Sequence, residues 1–151
     1  MSNRLALCSV VLVILLSALA CQRVKQPSLY DRLGGESGIT TLVNDFIDRF
    51  RNTEDVRINN PLVKKRHEAA YVPALKEHWV GFISQSTGGP ARYEGRNMKW
   101  AHAGLAITDE QFDRTIELMA ESLAASKIGK PEQEELLGLM KKHRDVIVEK
   151  R

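Results

Sequence analysis

The sequence predicts an all-α domain behind an apolar leader. Apolar residues recur every three or four positions in several stretches, no stretch alternates as a half-buried strand does, and Gly, Pro and Thr stand where helices stop and start. With 151 residues, 43% apolar and 27% charged, the chain can bury one core and has the balance of an ordinary globular domain. The formal net charge of +3 comes without a basic stripe or an aromatic-studded strand, which argues against nucleic acid as a partner. There is no internal repeat and no second domain.

Residues 1–20 read as a signal peptide. Arg4 gives the positive start, and Leu5 to Ala20 is an almost unbroken apolar run. That run is shorter than the ~20 residues a spanning helix wants and ends in small residues. Ala18-Leu19-Ala20 fits a small-x-small cleavage site, and Ser17 to Cys21 resembles a bacterial lipobox, with Ala18 where a larger aliphatic residue is usual. The resemblance implies acylation of Cys21 and a membrane anchor at an exported, periplasmic site. The alternative is plain secretion by cleavage at the same bond. Gln22 is not the Asp linked to inner-membrane retention, which leaves the outer membrane as a destination. Cys8 and Cys21 give no disulfide framework, redox pair or zinc cluster. Residues 21–28 form a tether and 29–151 the folded domain.

Leu29 to Leu33 is one or two helical turns, stopped by Gly34-Gly35. Ser37 or Gly38 opens a helix to about Arg51, with Ile39, Leu42, Val43, Phe46, Ile47 and Phe50 as its stripe. Phe46 and Ile47 are placed to touch a ligand as well. Asn52 to Tyr71 is a polar loop with a short helix at Leu62–Arg66, and His67, among Lys64, Lys65, Arg66 and Glu68, reads as solvated. Pro73 sits in the first turn of a helix to about Ser86. Leu75, His78, Trp79, Phe82 and Ile83 share its face, so His78 must find a partner or cost about 1–3 kcal/mol. Gly88-Gly89-Pro90 ends this helix. A short helix starts at Arg96 or Asn97 and places Met98 and His102 on one face, with Trp100 on another. Thr108 with Gln111 makes a capping box for a helix from Asp109 to about Ser126. Phe112, Ile116, Met119, Ala120 and Leu123 face inward there, and Gly129 closes it. Pro131 starts the last helix, with Leu136, Leu137, Met140 and Ile147 inward and His143 exposed.

Two histidines, His78 and His102, thus stand outside polar surroundings, on different helices. No Asp or Glu shares their apolar faces, so zinc hydrolase chemistry lacks its three ligands. No phosphate loop, nucleophile elbow or dinucleotide fingerprint occurs. An imidazole on a short segment with too few apolar neighbours to form a core suits the shelf beside a flat apolar cofactor. For His78, alone in an apolar stripe, the usual role is a core histidine bonded to a carbonyl.

A resemblance narrows this. LYDRLGG at Leu29–Gly35, TGGPARYEGRNMKWAH at Thr87–His102 and AGLAITDEQFD at Ala103–Asp113 together resemble the group I truncated haemoglobins. The likeness covers about Leu29 to Val148 and is specific as a set. It implies a globin-like sandwich of two helices over two around haem b, which is not held by thioethers because no CxxCH motif exists. It implies His102 as the proximal iron ligand with Met98 packed near it. Tyr93 and Arg96 would meet the propionates, Phe46, Leu75, Trp79 and Phe82 would wall the distal side, and Phe112 would close the proximal side. The family often carries a Tyr where this chain has Ile47, so the usual donor to bound oxygen is missing. His78 and Trp79 are the replacements, and in some relatives a His at the position of His78 binds iron directly. The functions implied are binding of oxygen or nitric oxide, conversion of nitric oxide to nitrate with an external electron donor, or electron transfer and redox sensing through a six-coordinate His78–Fe–His102 centre.

Overall fold

The structure, a computed structural model, describes residues 26–149. The leader, its cleavage site and Cys21 lie outside the described residues. Those described form eight α-helices and a 3-10 turn, with no strand: α1 Leu29–Arg32, α2 Gly35–Asn52, the turn Val56–Ile58, α3 Pro61–Arg66, α4 Val72–Ser86, α5 Met98–His102, α6 Asp109–Ala125, α7 Lys130–Lys141 and α8 Arg144–Ile147. None is long and apolar enough to cross a membrane.

The start of the fold is a pair of caps and a close approach. Ser28 and Asp31 exchange hydrogen bonds as a capping box for α1. The left-handed Gly34, at φ +87°, then starts α2 two or three residues earlier than the sequence pattern suggests. This is possible because Gly38 lies against the end of α1. A Cβ there would stand 2.0 Å from the Leu33 carbonyl oxygen. The earlier start gives α2 five turns, and its stripe from Ile39 to Phe50 is buried throughout. Each such side chain contributes about 1.5–3 kcal/mol on leaving water.

Helix α2 packs on α4 and crosses α6, while α6 packs on α7, so two helices lie over two. Val43, Met119, Leu123 and Leu136 have no exposed surface and fill the crossing. Arg32 ties α1 to α7 through Glu132 at 3.1 Å and through Glu135. At the other corner the second Gly-Gly pair works with α1. Gly89 N–H donates to the Ser84 carbonyl at 2.8 Å, and Tyr30 N–H to that of Thr87 at 3.0 Å.

Two expectations for the C-terminal half are corrected. Gly129 does not close α6. Lys127 takes the left-handed turn at φ +57°, and Gly129, extended, precedes α7. The last helix is also two. It breaks at Lys142 and His143 although neither Gly nor Pro stands there, because α8 is drawn onto α6. Arg144 lies 4.6 Å over the Phe112 ring, bonds Asp109 at 2.7 Å and pairs with Asp113. Val148 is also buried at this end, and Ile147 is half-buried and lines the cavity.

Candidate functional site

Between the helix pairs lies a cavity of about 230 Å³. One wall is aromatic and comes from α2 and α4. Phe46 meets Phe50 edge-on at 6.1 Å and Trp79 at 4.9 Å, and Trp79 meets Phe82 at 6.2 Å. The other wall comes from α5, the loop after it and α6, with Met98, His102, Leu105, Ile107, Phe112 and Ile116. Of the residues singled out from sequence, the structure brings Phe46, Leu75, His78, Trp79, Phe82, Tyr93, Met98, His102 and Phe112 to this one cavity. Arg96 is exposed and outside its lining. The guanidinium at the cavity belongs to Arg66, whose Nη1 donates to the Ala101 carbonyl at 2.8 Å. Ile47 is likewise outside the lining. It is fully buried in the α2 core, because side chains one residue apart on a helix point about 100° apart.

His102 is built from the local chain upward. The Asn97 side chain accepts from Trp100 N–H at 3.0 Å and starts α5. One turn later His102 Nδ1 lies 2.7 Å from the Met98 carbonyl oxygen. A carbonyl only accepts, so Nδ1 carries the proton and Nε2 keeps its lone pair. Burial lowers the pKa of His102, and Arg66 and His143 add to this against the Met98 bond and Glu149, so the neutral ring is favoured. The loop that follows is clamped from beyond α8. Gly104 and Ala106 N–H groups both donate to the Glu149 carboxylate at 2.6 Å, and Glu149 N–H donates to the Ile107 carbonyl at 2.9 Å.

All four histidines of the chain line the cavity, which corrects the expectations for His67 and His143, while the exposure of His78 corrects a third. His67 is not solvated. It is half-buried, its Nδ1 lies 2.9 Å from the Val63 carbonyl oxygen, and its ring stacks on Phe50 at 4.2 Å and 15°. Burial lowers its pKa, the Val63 bond opposes this, and Arg51 adds to it. His143 is half-buried and meets Phe82 edge-on at 5.4 Å, because the helix break turns it inward. His78 is exposed at the rim and meets only the edge of Tyr93 at 5.9 Å, so it carries no unmet desolvation cost. Sequence reading missed His67 because its neighbours are charged. The signal that could have found it is Asn60-Pro61, a helix start placed so that the last turn ends on His67.

Asn60 is the other missed residue. It is 7% exposed, accepts from Leu62 and Val63 N–H, and donates to the Leu105 carbonyl at 2.8 Å and to Gln111 at 3.2 Å. It therefore fixes α3 to the N-terminus of α6 and to the cavity floor. Among the described residues no three His, Cys, Asp or Glu side chains converge on a bare metal ion. The imidazoles are spread around a large apolar space.

A two-over-two helical sandwich with a neutral imidazole on an apolar cavity defines a small helical protein built to hold a flat, mostly apolar group. The comparisons give the family: residues 28–149 match the bacterial-like globins, and the chain belongs to that family. It is 31% identical over 111 residues to the group 1 truncated hemoglobin GlbN of Synechocystis sp., covering 70% of this chain and 81% of that protein. To the group 1 truncated hemoglobin of Tetrahymena thermophila it is 28% identical over 99 residues, covering 66% and 76%. The fold superposes on the Fe(III) truncated hemoglobin of Tetrahymena pyriformis with a TM-score of 0.70 at 24% identity, over 81% of this chain and 98% of that one.

Proposed function

We propose that the cavity holds haem b and that the protein reversibly binds a diatomic gas, oxygen or nitric oxide, at iron ligated by His102. One observation carries this reading. His102 Nδ1 is committed to the Met98 carbonyl, which leaves a Nε2 lone pair on an apolar cavity. That is the tautomer a metal ligand needs, and the backbone bond fixes the ring. The relatives named hemoglobins support the same assignment.

Haem bound here would supply an iron atom able to take up a diatomic gas. The chain supplies the rest. Met98, Phe112 and Ile116 pack on the side of His102, and Phe46, Leu75, Trp79 and Phe82 keep water from the other. Tyr93 and Arg66 suit the propionates, Arg66 by charge, in the place that the resemblance implies for Arg96. With Ile47 turned into the core, the indole N–H of Trp79 is the donor on the aromatic wall best suited to a polar bound gas. The apolar leader and Cys21 support an exported, lipid-anchored protein, which mass spectrometry of the mature N-terminus tests.

The test of the haem reading is titration of the leaderless protein with hemin. A Soret band is expected, lost in His102→Ala and restored by added imidazole. A folded wild-type protein that stays colourless rejects the reading.

A further inference from the structure

We infer that Glu149, just beyond α8, is a positioning residue for His102, keeping the iron-binding imidazole in place through the loop from Gly104 to Ile107. The inference rests on the haem reading of the cavity. It adds a residue that is exposed and outside the cavity lining, and that acts on the ligand from behind.

The backbone of the loop comes first. Gly104 stands at φ +77° and Ala106 at φ +53°. A residue with a Cβ is strained in that region, so the surroundings must hold Ala106 there. The Glu149 carboxylate does so. Gly104 N–H donates to its Oε1 and Ala106 N–H to its Oε2, each at 2.6 Å. Backbone N–H groups gathered in this way form a cradle for a negative charge, and the charge strengthens both bonds. A third bond, from Glu149 N–H to the Ile107 carbonyl at 2.9 Å, closes the far end of the loop.

The clamp reaches His102 in two short steps. Only Ala103 separates His102 from Gly104. Leu105 N–H, between the two clamped residues, donates to the His102 carbonyl at 3.1 Å. Leu105 and Ile107 are themselves buried and line the cavity, so the loop cannot shift without moving that wall. His102 needs such support. It is the last residue of α5, a helix of five residues with none buried, and so short a helix is not stable alone. The Met98 carbonyl fixes the ring from within α5, and the loop fixes the residue that carries the ring.

Glu149 is in turn held to the wall of His102. Arg144 stacks on Phe112 and bonds Asp109 of α6, Ile147 faces the cavity, and Val148 is buried. The carboxylate therefore comes to the loop from a segment anchored on α6.

The test uses the leaderless chain. In Glu149→Gln without hemin, amide hydrogen exchange at Gly104 and Ala106 should quicken at least tenfold. Nitrogen-15 spectra should show the His102 proton on Nδ1 in the wild type and averaged over both ring nitrogens in the variant. Loaded with hemin, the variant should lose it to apomyoglobin at least tenfold faster, the scale on which groups that orient a metal ligand act. Coupling is reciprocal. Hemin should therefore slow exchange at Gly104 and Ala106 at least tenfold in the wild type, a reading that stands even if Glu149→Gln fails to fold. The slowing should be absent from His102→Ala carrying hemin with free imidazole, where the ligand is cut from the loop. Faster exchange in Glu149→Gln with unchanged ring spectra and hemin loss overturns the inference, as does equal slowing in His102→Ala, and both leave the haem reading intact. A wild type that takes up no hemin overturns both.

Discussion

Two corners of the cavity are built the same way. Asn60 caps α3, and one turn before His67 the Val63 carbonyl accepts a hydrogen bond from its Nδ1. Asn97 caps α5, and one turn before His102 the Met98 carbonyl does the same. Both helices are too short to be stable alone, and both rings have lowered pKa values from burial. The corners differ in what anchors them. Asn60 is buried and bonds across to Leu105 and Gln111, whereas Asn97 is exposed and the loop beyond α5 is held instead by Glu149. One device, a short capped helix that presents an imidazole by its own backbone, can therefore be fixed from its start or from its end.

The comparison can be broken most sharply at the rings. His102→Ala should weaken hemin binding at least about 100-fold, on the scale set by losses of groups that only orient a ligand. His67→Phe should change hemin affinity by no more than a few fold, because the other apolar walls and His102 remain. Equal losses by competition with apomyoglobin for hemin would erase the distinction between the corners.

The anchors come next. Asn60→Ala removes a cap and leaves the Leu105 carbonyl without its side-chain donor, so urea unfolding of the haem-free protein should show a loss of about 2–3 kcal/mol. Asn97→Ala removes an exposed cap and should cost about 1 kcal/mol. A larger loss at Asn97 would reverse the assignment.

A shared pH response sharpens the likeness. The folded-state pKa values of His67 and His102 both lie below the ordinary value of 6.5, so the unfolded chain binds protons first as pH falls. Stability of the haem-free protein should therefore be flat above pH 7 and decline below about 6.5. The decline should be shallower in His67→Phe and in His102→Phe, and absent from neither alone, by denaturant midpoints across the range. The smallest effect lies away from the cavity, as a control. Hydrogen bonds from Arg57 hold the Asp55 carboxyl down to about 2, so the help it gives folding is complete above the ordinary carboxylate range and lost as pH falls through about 2. Carbon-13 titration should place Asp55 there in the wild type and nearer 3.8 in Arg57→Ala.

Much of this was legible residue by residue. The α2 stripe, the Thr108–Gln111 capping box, Pro73 in the first turn of α4 and both Gly-Gly stops are local devices, and a chain segment displays them without its neighbours. His102 was legible for the same reason, standing four residues after Met98 in a short segment that could form no core. His67 was not, because a polar run says where charges can reach solvent, not which member of the run faces inward. Arg96 was assigned to the cavity and Arg66 was not, although both are exposed arginines. Their difference is which one lies next to α5 after folding.

What the sequence determined alone is the run of helices from α1 to the start of α7, since capping and apolar spacing act within a turn or two of the backbone. What only the tertiary structure decided is which side chains share the cavity. Four histidines separated by up to 76 residues meet there because α2, α4, α6 and the break before α8 converge. A local cap fixes where an imidazole stands on its helix, but its burial is set by the packing of distant segments.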